Sequence, residues 1–205
     1  MSIEKIDRNG IIILYKEQGW TSFDVVAKRR GILGTRKVGH SGTLDPMATG
    51  VLPLFMGRAT KAVDMQVIKD KEYVATFKLG IKTDSGDIWG TVIEEKPVDV
   101  TDEQVKSAVM SFKGEISQIP PMFSAIKVNG QPLYKLARKG VTVDRKRRGV
   151  TIKEIEMLDD GNLPENEYKI RVKCTEGTYI RTLIDDIGEK LGCGGVMTSL
   201  CRTMA

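Results

Sequence analysis

Runs and repeats of apolar residues along this chain predict short strands alternating with helices. Ile11–Tyr15 is a continuous apolar run and predicts a short buried strand. Thr21 or Ser22 is a suitable N-cap for the helix that follows, with Phe23 on its apolar face. Gly31 is expected to end that helix, because glycine is a poor helix former. The first thirty residues therefore predict one strand and one helix.

The middle of the chain continues in the same way. Apolar residues at helical spacing predict a helix over Arg58–Ile68, and alternation predicts a strand over Tyr73–Leu79. A polar turn separates this strand from a second one at Thr91–Glu94. The run Thr101–Gln104 is a capping box, and the helix that it opens is expected to end at Gly114.

The last third contains the one long stretch without clear periodicity, Gln118–Gly149, which predicts a functional or mobile segment. Strands are predicted at Val150–Leu158 and Tyr168–Cys174, the latter with a polar face in plain contact with solvent. Thr178 is expected to cap a last helix that stops at Gly192. Short links between strand pairs are typical of antiparallel pairing, so the pattern predicts an α+β protein with one large mixed sheet.

Composition narrows the class of protein. The 205 residues are 40% hydrophobic and 29% charged, which is typical of one large folded domain or a domain with an insertion. No apolar run reaches membrane-spanning length. The three cysteines, Cys174, Cys193 and Cys201, have no CxxC spacing, which argues against a zinc site and indicates a reduced, cytoplasmic protein.

The positive charge is localised. The formal net charge is +5, yet Lys135–Arg148 alone holds seven basic residues and one acid, a local charge of +6. A second cluster without acids runs from Lys28 to Lys37 and contains Lys28, Arg29, Arg30, Arg36 and Lys37. Charge runs are often only solvated faces, but a local excess of this size is the pattern expected for binding a phosphate backbone.

Gly39–Gly50 is the most distinctive stretch. Three glycines and a proline surround one carboxylate, Asp45, and the stretch holds the only histidine, His40. Glycine and proline restrict the loop to particular turns and so present the acid in a defined position. The alternative is a surface connection in which Asp45 merely caps the next turn.

Few kinds of chemistry fit these residues. One histidine and scattered cysteines argue against nucleophilic triads and metal centres. A two-acid glycosidase would need a partner for Asp45, and the candidates look like turn or helix-surface residues; they are Asp84, Asp87, Asp185 and Asp186. A single carboxylate with Arg and Tyr helpers remains. Arg181 is a candidate helper, with a surface i,i+4 pair to Asp185 as its alternative role.

Several motifs together are specific. They are Gly19–Val26, Gly39–Gly50, Tyr73 with Leu79-Gly80, Gln118–Val128, Leu133–Arg138, Gly177–Leu183, and Leu200 with Arg202-Thr203. In this order and at this spacing the sequence resembles the TruB family of bacterial tRNA pseudouridine-55 synthases over nearly its whole length.

The resemblance implies a pseudouridine synthase fold whose sheet is mainly antiparallel. Residues 1–205 would form the catalytic domain, with an RNA-clasping insertion at about 118–149. The implied reaction is isomerisation of uridine 55 in the T-arm loop of tRNA, by base flipping and without cofactor or metal. We expect a cytoplasmic monomer that needs neither a membrane nor an obligate protein partner.

The resemblance also assigns roles to residues. Asp45, Tyr73 and Arg181 would be catalytic, with Arg181 paired to Asp45. The substrate-binding residues would be His40, Tyr179, Leu200 and Lys16. The RNA-contacting basic residues would be Lys127, Arg138, Arg145, Lys146, Arg147 and Arg148.

Two departures from the family pattern stand out. Glu17 follows Lys16 where the family usually has proline. Family members usually continue into a C-terminal PUA-like RNA-binding domain, and this sequence ends at Ala205, so we expect only the catalytic domain here. The alternative functions are a non-catalytic tRNA-binding or folding module on the same surface, and an enzyme for a different uridine.

Overall fold

Strands interleaved with short helices make up the described part of the chain, residues 9–65, 68–159 and 161–205 of a computed structural model. The strands are β1 (Gly10–Lys16), β2 (Val38–His40), β3 (Thr49–Met56), β4 (Lys71–Leu79), β5 (Ile81–Thr83), β6 (Val92–Glu95), β7 (Gly114–Gln118), β8 (Lys127–Val128), β9 (Gln131–Pro132), β10 (Arg148–Leu158), β11 (Glu167–Cys174) and β12 (Gly195–Met204). The helices are α1 (Ser22–Leu33), α2 (Asp102–Met110), α3 (Leu133–Ala137) and α4 (Ile180–Leu191), with a 3₁₀ helix at Gly57–Val63.

The chain divides into two units, with the boundaries inside β4 and β12. The first unit comprises the residues up to Tyr73 and Leu200–Ala205, and the second comprises Val74–Ser199. The strand order is β1-β3-β12-β4 in the first, with β2 also on β3, and β12-β4-β11-β10-β7 in the second. β12 runs parallel to β3, whereas β1 and β2 are antiparallel to β3, and β10 is antiparallel to β7 and β11. The predicted α+β class with a mixed, mainly antiparallel sheet is confirmed.

β1 forms where predicted, but it is not a buried strand. Ile11, Ile13 and Tyr15 are 55%, 62% and 59% exposed, while the residues between them face the core of the first unit. Successive side chains on a strand point to opposite faces. The apolar run therefore leaves one face of β1 uncovered, a distinction that a run without alternation cannot reveal.

α1 is longer than predicted. Thr21 is its N-cap and forms a capping box with Asp24, but the helix passes through Gly31 and ends at Gly34, whose φ is +61°. The left-handed conformation at the end of a helix strongly favours glycine, as at Gly34, whereas a glycine inside the helix, such as Gly31, is only mildly unfavourable. Phe23 is 67% exposed, so the predicted apolar face is only partly the buried face.

The helix predicted at Arg58–Ile68 is instead a 3₁₀ helix at Gly57–Val63. None of its residues is buried, so a longer α-helix would have no core-facing side to stabilise it. Gln66 and Val67, within the predicted helix, lie outside the described residues.

The second unit confirms two helices and corrects their ends. The Thr101 capping box opens α2 as predicted, but α2 ends at Met110, and Gly114 begins β7. α4 ends at Gly192 as predicted. Its N-cap is Tyr179, while the Thr178 hydroxyl donates to the Thr175 carbonyl at 2.9 Å.

The polar face of β11 is more than solvent contact. Arg171 pairs with Glu154 and Glu156 at 3.3 and 2.7 Å, and Lys173 pairs with Glu154 at 3.3 Å. These partners lie on the neighbouring strand β10, so the alternating charges form a cross-strand ladder.

The stretch 118–149 contains short regular elements that its sequence pattern does not predict. β8 and β9 form a hairpin, α3 follows directly, and Leu133 at its start is fully buried. Two-residue strands and a five-residue helix are too short to show periodicity. In the described residues, no helix has the length and apolar character needed to cross a bilayer.

Candidate active site

The loop that carries Asp45 lies between β2 and β3, and the start of α1 holds its backbone. Ser22 Oγ accepts from the Leu44 N–H at 2.9 Å and donates to the Leu44 carbonyl at 3.3 Å. Gly19 N–H donates to the Pro46 carbonyl at 2.9 Å. Asp45 itself is half-buried. The Gly19–Val26 motif thus fixes the backbone on both sides of Asp45.

Lys16 lies beneath this loop with no exposed surface. Its Nζ donates to the carbonyls of Trp20 at 2.7 Å, Glu17 at 3.0 Å and Pro46 at 3.3 Å. Burial lowers the pKa of Lys16, and the Asp45 carboxylate opposes that shift. Glu17, in place of the family's proline, supplies one of these carbonyls, so the departure leaves the Lys16 site intact.

Arg202 is a second buried cation in the first unit, 1% exposed. It donates from Nε to the Val51 carbonyl at 2.8 Å and from Nη2 to the Gly42 carbonyl at 3.2 Å, and it hydrogen-bonds Tyr73. Burial lowers the pKa of Arg202, whereas Tyr73 raises it. Gly42 has φ +79°, and a Cβ there would lie 3.2 Å from Arg202 Nη1, so both backbone and space require glycine.

Sequence reasoning quoted Arg202 as part of a motif but gave it no role. Alternate residues of a strand share a face, so a basic residue two positions after a buried apolar residue predicts a buried cation once β12 is known. Leu200 is 7% exposed, so Leu200 and Arg202 both lie on the buried face of β12. β12 itself was not predicted, because its glycine-rich start hides the strand pattern.

His40 lies at the end of β2 and is partly buried. Its Nδ1 is buried, and no hydrogen-bond partner for it exists in the described part of the chain. Burial and, second, the Arg202 charge lower its pKa, against a backbone hydrogen bond at Gly42. His40 is therefore neutral at pH 7.

β3 and β12 approach closely beside these residues. Arg202 lies opposite Gly50, whose φ is +110°, and a Cβ at Gly50 would collide with the Arg202 backbone. Thr49 Oγ1 donates to the Leu200 carbonyl at 3.4 Å. The first unit therefore holds six candidate residues, Lys16, His40, Asp45, Tyr73, Leu200 and Arg202.

Arg181 and Tyr179 lie in the second unit. Arg181 is 4% exposed and donates to the carbonyls of Ser85 at 2.7 Å and Phe123 at 2.8 Å. Asp185 forms an ion pair with Lys82 at 3.1 Å. The alternative role of Arg181 as an exposed residue of the helix surface is therefore wrong.

The Tyr179 backbone is held by one side chain. Gln118 is 1% exposed, accepts from the Tyr179 N–H at 3.0 Å and donates to its carbonyl at 3.2 Å. Like Ser22 at Leu44, Gln118 satisfies both backbone groups of a single residue. Gln118 belongs to one of the sequence motifs, but its role depends on this contact with a residue 61 positions away and has no local sequence signal.

The other acids proposed for a two-acid mechanism have local partners. Asp84 accepts from the Thr91 N–H at 2.8 Å, and Asp87 accepts from the Trp89 N–H at 3.1 Å, so both close turns. Burial, then the neighbouring Asp185, raises the pKa of Asp186 to about 6. Among the described residues, no group of three or more His, Cys, Asp or Glu side chains could hold a metal ion.

The predicted RNA-contacting residues all lie in or beside the 118–149 insertion. Lys127, Arg138, Lys146, Arg147 and Arg148 are exposed, whereas Arg145 is half-buried and donates to the Pro120 carbonyl at 3.0 Å. Arg147 donates to the Ser117 carbonyl at 3.3 Å, and Arg138 lies 5.6 Å from the Tyr134 ring centroid. Two of the six arginines and lysines thus also anchor the segment.

Comparison with known proteins agrees with this geometry. The family model described as "TruB family pseudouridylate synthase (N terminal domain)" matches residues 29–180. The tRNA pseudouridine synthase B of Francisella philomiragia is 48% identical over 207 residues, covering 100% of this chain and 68% of that protein. The chain belongs to the TruB family. The enzyme of the same name from Aromatoleum aromaticum is also 48% identical, covering 95% of this chain and 62% of that protein.

Solved structures show the same fold. A Cbf5-Nop10-Gar1 complex contains a chain with TM-score 0.72 and 35% identity, covering 95% of this chain and 48% of that one. An H/ACA RNP bound to a substrate RNA containing 2′-deoxyuridine gives TM-score 0.68 and 31% identity, covering 96% and 47%. This TruB chain therefore spans about two thirds of the curated relatives and about half of these solved chains.

Proposed function

We propose that this chain isomerises a uridine in tRNA to pseudouridine, with Asp45 as the catalytic carboxylate. The observation that carries the proposal is the Asp45 loop itself. Its carbonyls at Gly42, Leu44 and Pro46 accept hydrogen bonds from the buried side chains of Arg202, Ser22 and Lys16. A half-buried acid on a backbone held in this way is pre-positioned for chemistry. The TruB family and the curated relatives support the same reaction.

The reaction suits these residues. Pseudouridine formation breaks the N1–C1′ bond and forms a C5–C1′ bond. C5 loses its proton, and N1 gains one. It involves no redox change. The Asp45 carboxylate can attack the sugar or the ring, or stabilise positive charge on the sugar. The buried Lys16 interacts electrostatically with this carboxylate. Tyr73 is proposed to stack on the base and to assist removal of the C5 proton.

The remaining roles concern how the nucleotide is held. Leu200, mostly buried, is proposed as the apolar floor, and the neutral His40 as a contact for flipped nucleotides. Arg181 and Tyr179 are proposed as partners of the site, following the family pattern. For the 118–149 insertion, we propose that its exposed basic residues contact the RNA backbone.

The finer proposals are uridine 55 of the T-arm loop as target and a cytoplasmic monomer as the working form. Pseudouridine mapping on an unmodified tRNA transcript tests the target, with a transcript carrying cytidine at position 55 as control. We expect one pseudouridine, at position 55, and none in the control. Modification of another uridine would agree with the proposed enzyme class but would reject position 55 as the target. Bound but unmodified tRNA would favour the non-catalytic binding module, and sedimentation analysis would test the monomer.

A further inference from the structure

Large apolar side chains are exposed along α1 and just before it. Phe23 is 67% exposed, Ile32 is 59% exposed, and Trp20, just before the helix, is 38% exposed. Val26 is 3% exposed and packs in the core of the first unit.

Exposed cations accompany the rings. Lys28 Nζ lies 4.9 Å from the centroid of the Trp20 ring, and Arg36 and Lys37 are exposed just after the helix. Arg30 is different, since it donates to the Val38 carbonyl at 3.2 Å. Asp24, the acid on this side, accepts from the N–H and hydroxyl of its own N-cap at 2.9 and 2.6 Å. Asp24 keeps its negative charge, but residues 24–37 together still carry a net charge of +4, because five basic residues outweigh this one acid.

This surface begins directly beside the Asp45 loop. The Trp20 carbonyl and the Pro46 carbonyl accept from the same Lys16 ammonium. The residue before Trp20 bonds to Pro46, and Ser22, between Trp20 and Phe23, bonds to Leu44. Residues on both sides of Trp20 are therefore in direct contact with the Asp45 loop.

We propose that Trp20, Phe23, Lys28, Arg36 and Lys37, the α1 face, bind RNA next to the nucleotide presented to Asp45. The proposal rests on the proposed function and adds to it an RNA contact in the first unit, separate from the 118–149 insertion. Exposed aromatic rings stack on unpaired bases, and cations beside them contact phosphates. The net positive charge of this segment favours a polyanion over an apolar protein surface.

Binding measurements on full-length chains test the α1 face. We expect Phe23→Ala and Lys28→Glu each to raise the Kd and KM for tRNA several-fold, and the double variant to raise them by roughly tenfold or more. Ile13→Ala, an equally exposed apolar truncation on β1, and Lys61→Glu, an exposed charge reversal, are the matched controls and should match the wild type. The salt dependence of Kd should become shallower only in Lys28→Glu and the double variant.

Fluorescence reports the contact directly, because the chain has only two tryptophans, Trp20 and Trp89. In a Trp89→Phe background, saturating tRNA should quench Trp20. Wild-type Kd in both α1 variants together with unchanged Trp20 emission would overturn the proposal. If tRNA quenches Trp20 but no pseudouridine forms, the α1 face stands and the proposed function fails. If pseudouridine forms and the variants bind like wild type, the α1 face alone is rejected.

Discussion

The Asp45 loop and the 118–149 insertion both lack sequence periodicity, but they are held in different ways. The loop has its carbonyls bound by buried donors at Arg202, Ser22 and Lys16. The insertion is held by its own backbone, as in the bonds from Leu133 N–H to Ile126 and from Tyr134 N–H to Ser124, and it keeps most of its cations exposed. A reacting carboxylate needs a fixed position, whereas phosphate contacts need exposed charge.

The largest effect is expected from the acid of the loop. Asp45→Asn should lower single-turnover pseudouridine formation by roughly 10⁴-fold or more, as removal of a central catalytic group does. The tRNA Kd should change little. Asp144→Asn, which removes an exposed acid in the insertion, is the control and should keep full turnover. More than trace activity in Asp45→Asn would contradict the assignment of Asp45.

Arg181 is where the insertion is fastened to the rest of the second unit, through the Phe123 carbonyl. Lysine keeps the charge but cannot reach two carbonyls with a planar fork. Arg181→Lys should therefore lose about 2–3 kcal/mol of unfolding free energy and most of its turnover. Asp185→Ala should change turnover little. Urea unfolding measures the stability and single-turnover assays measure the rate. Wild-type values in both would show that Arg181 neither fastens the insertion nor supports turnover.

The closest comparison between the Asp45 loop and the insertion is between two serines, Ser22 and Ser124. Ser22 Oγ holds both backbone groups of Leu44, whereas Ser124 Oγ in the insertion is buried and has no hydrogen-bond partner within the described residues. Ser22→Ala should cost about 1–3 kcal/mol of unfolding free energy and reduce turnover, because it leaves buried backbone groups unsatisfied. Ser124→Ala should be neutral or slightly stabilising. Equal unfolding midpoints for the two variants would remove the distinction.

The sequence allowed prediction of those parts that rest on local signals. The N-cap at Thr21, the capping box at Thr101 and the stop at Gly192 depend on neighbouring residues, and the structure confirms them. The roles of Arg202 and Gln118 depend on contacts with residues 60 to 160 positions away, which no local pattern encodes. The glycines and proline of Gly39–Gly50 singled out Asp45 and predicted a defined loop, and the family resemblance assigned the catalytic role. Neither predicted the buried side chains that hold the carbonyls of the loop.

The exposed cations of the insertion should affect binding more than chemistry. Lys146→Glu and Arg148→Glu should each weaken tRNA binding several-fold for all tRNAs tested, and each lost phosphate contact should lower the slope of log Kd against log salt by about 1. Arg145→Glu should in addition lower stability, because Arg145 holds the Pro120 carbonyl. Filter binding from 50 to 200 mM salt measures both. If Kd does not change with salt concentration, the basic residues of the insertion are exposed to solvent but do not contact the RNA backbone.

The smallest expected effects are pH dependences of stability, which run in opposite directions in the two units. The pKa of His40 is lowered by burial, so the unfolded chain binds more protons as the pH falls through about 6.5, and acid destabilises the fold. The pKa of Asp186 is raised to about 6. The stability that protonated Asp186 contributes is therefore complete below the ordinary pKa of Asp and is lost as the pH rises through 6. His40→Gln should therefore reduce the stability lost between pH 7 and 5. Asp186→Asn should raise stability at pH 7 and steepen that loss. Urea unfolding of both variants at pH 5, 6 and 7 measures the two slopes, and slopes that change together would show that one of these pKa shifts has the wrong sign.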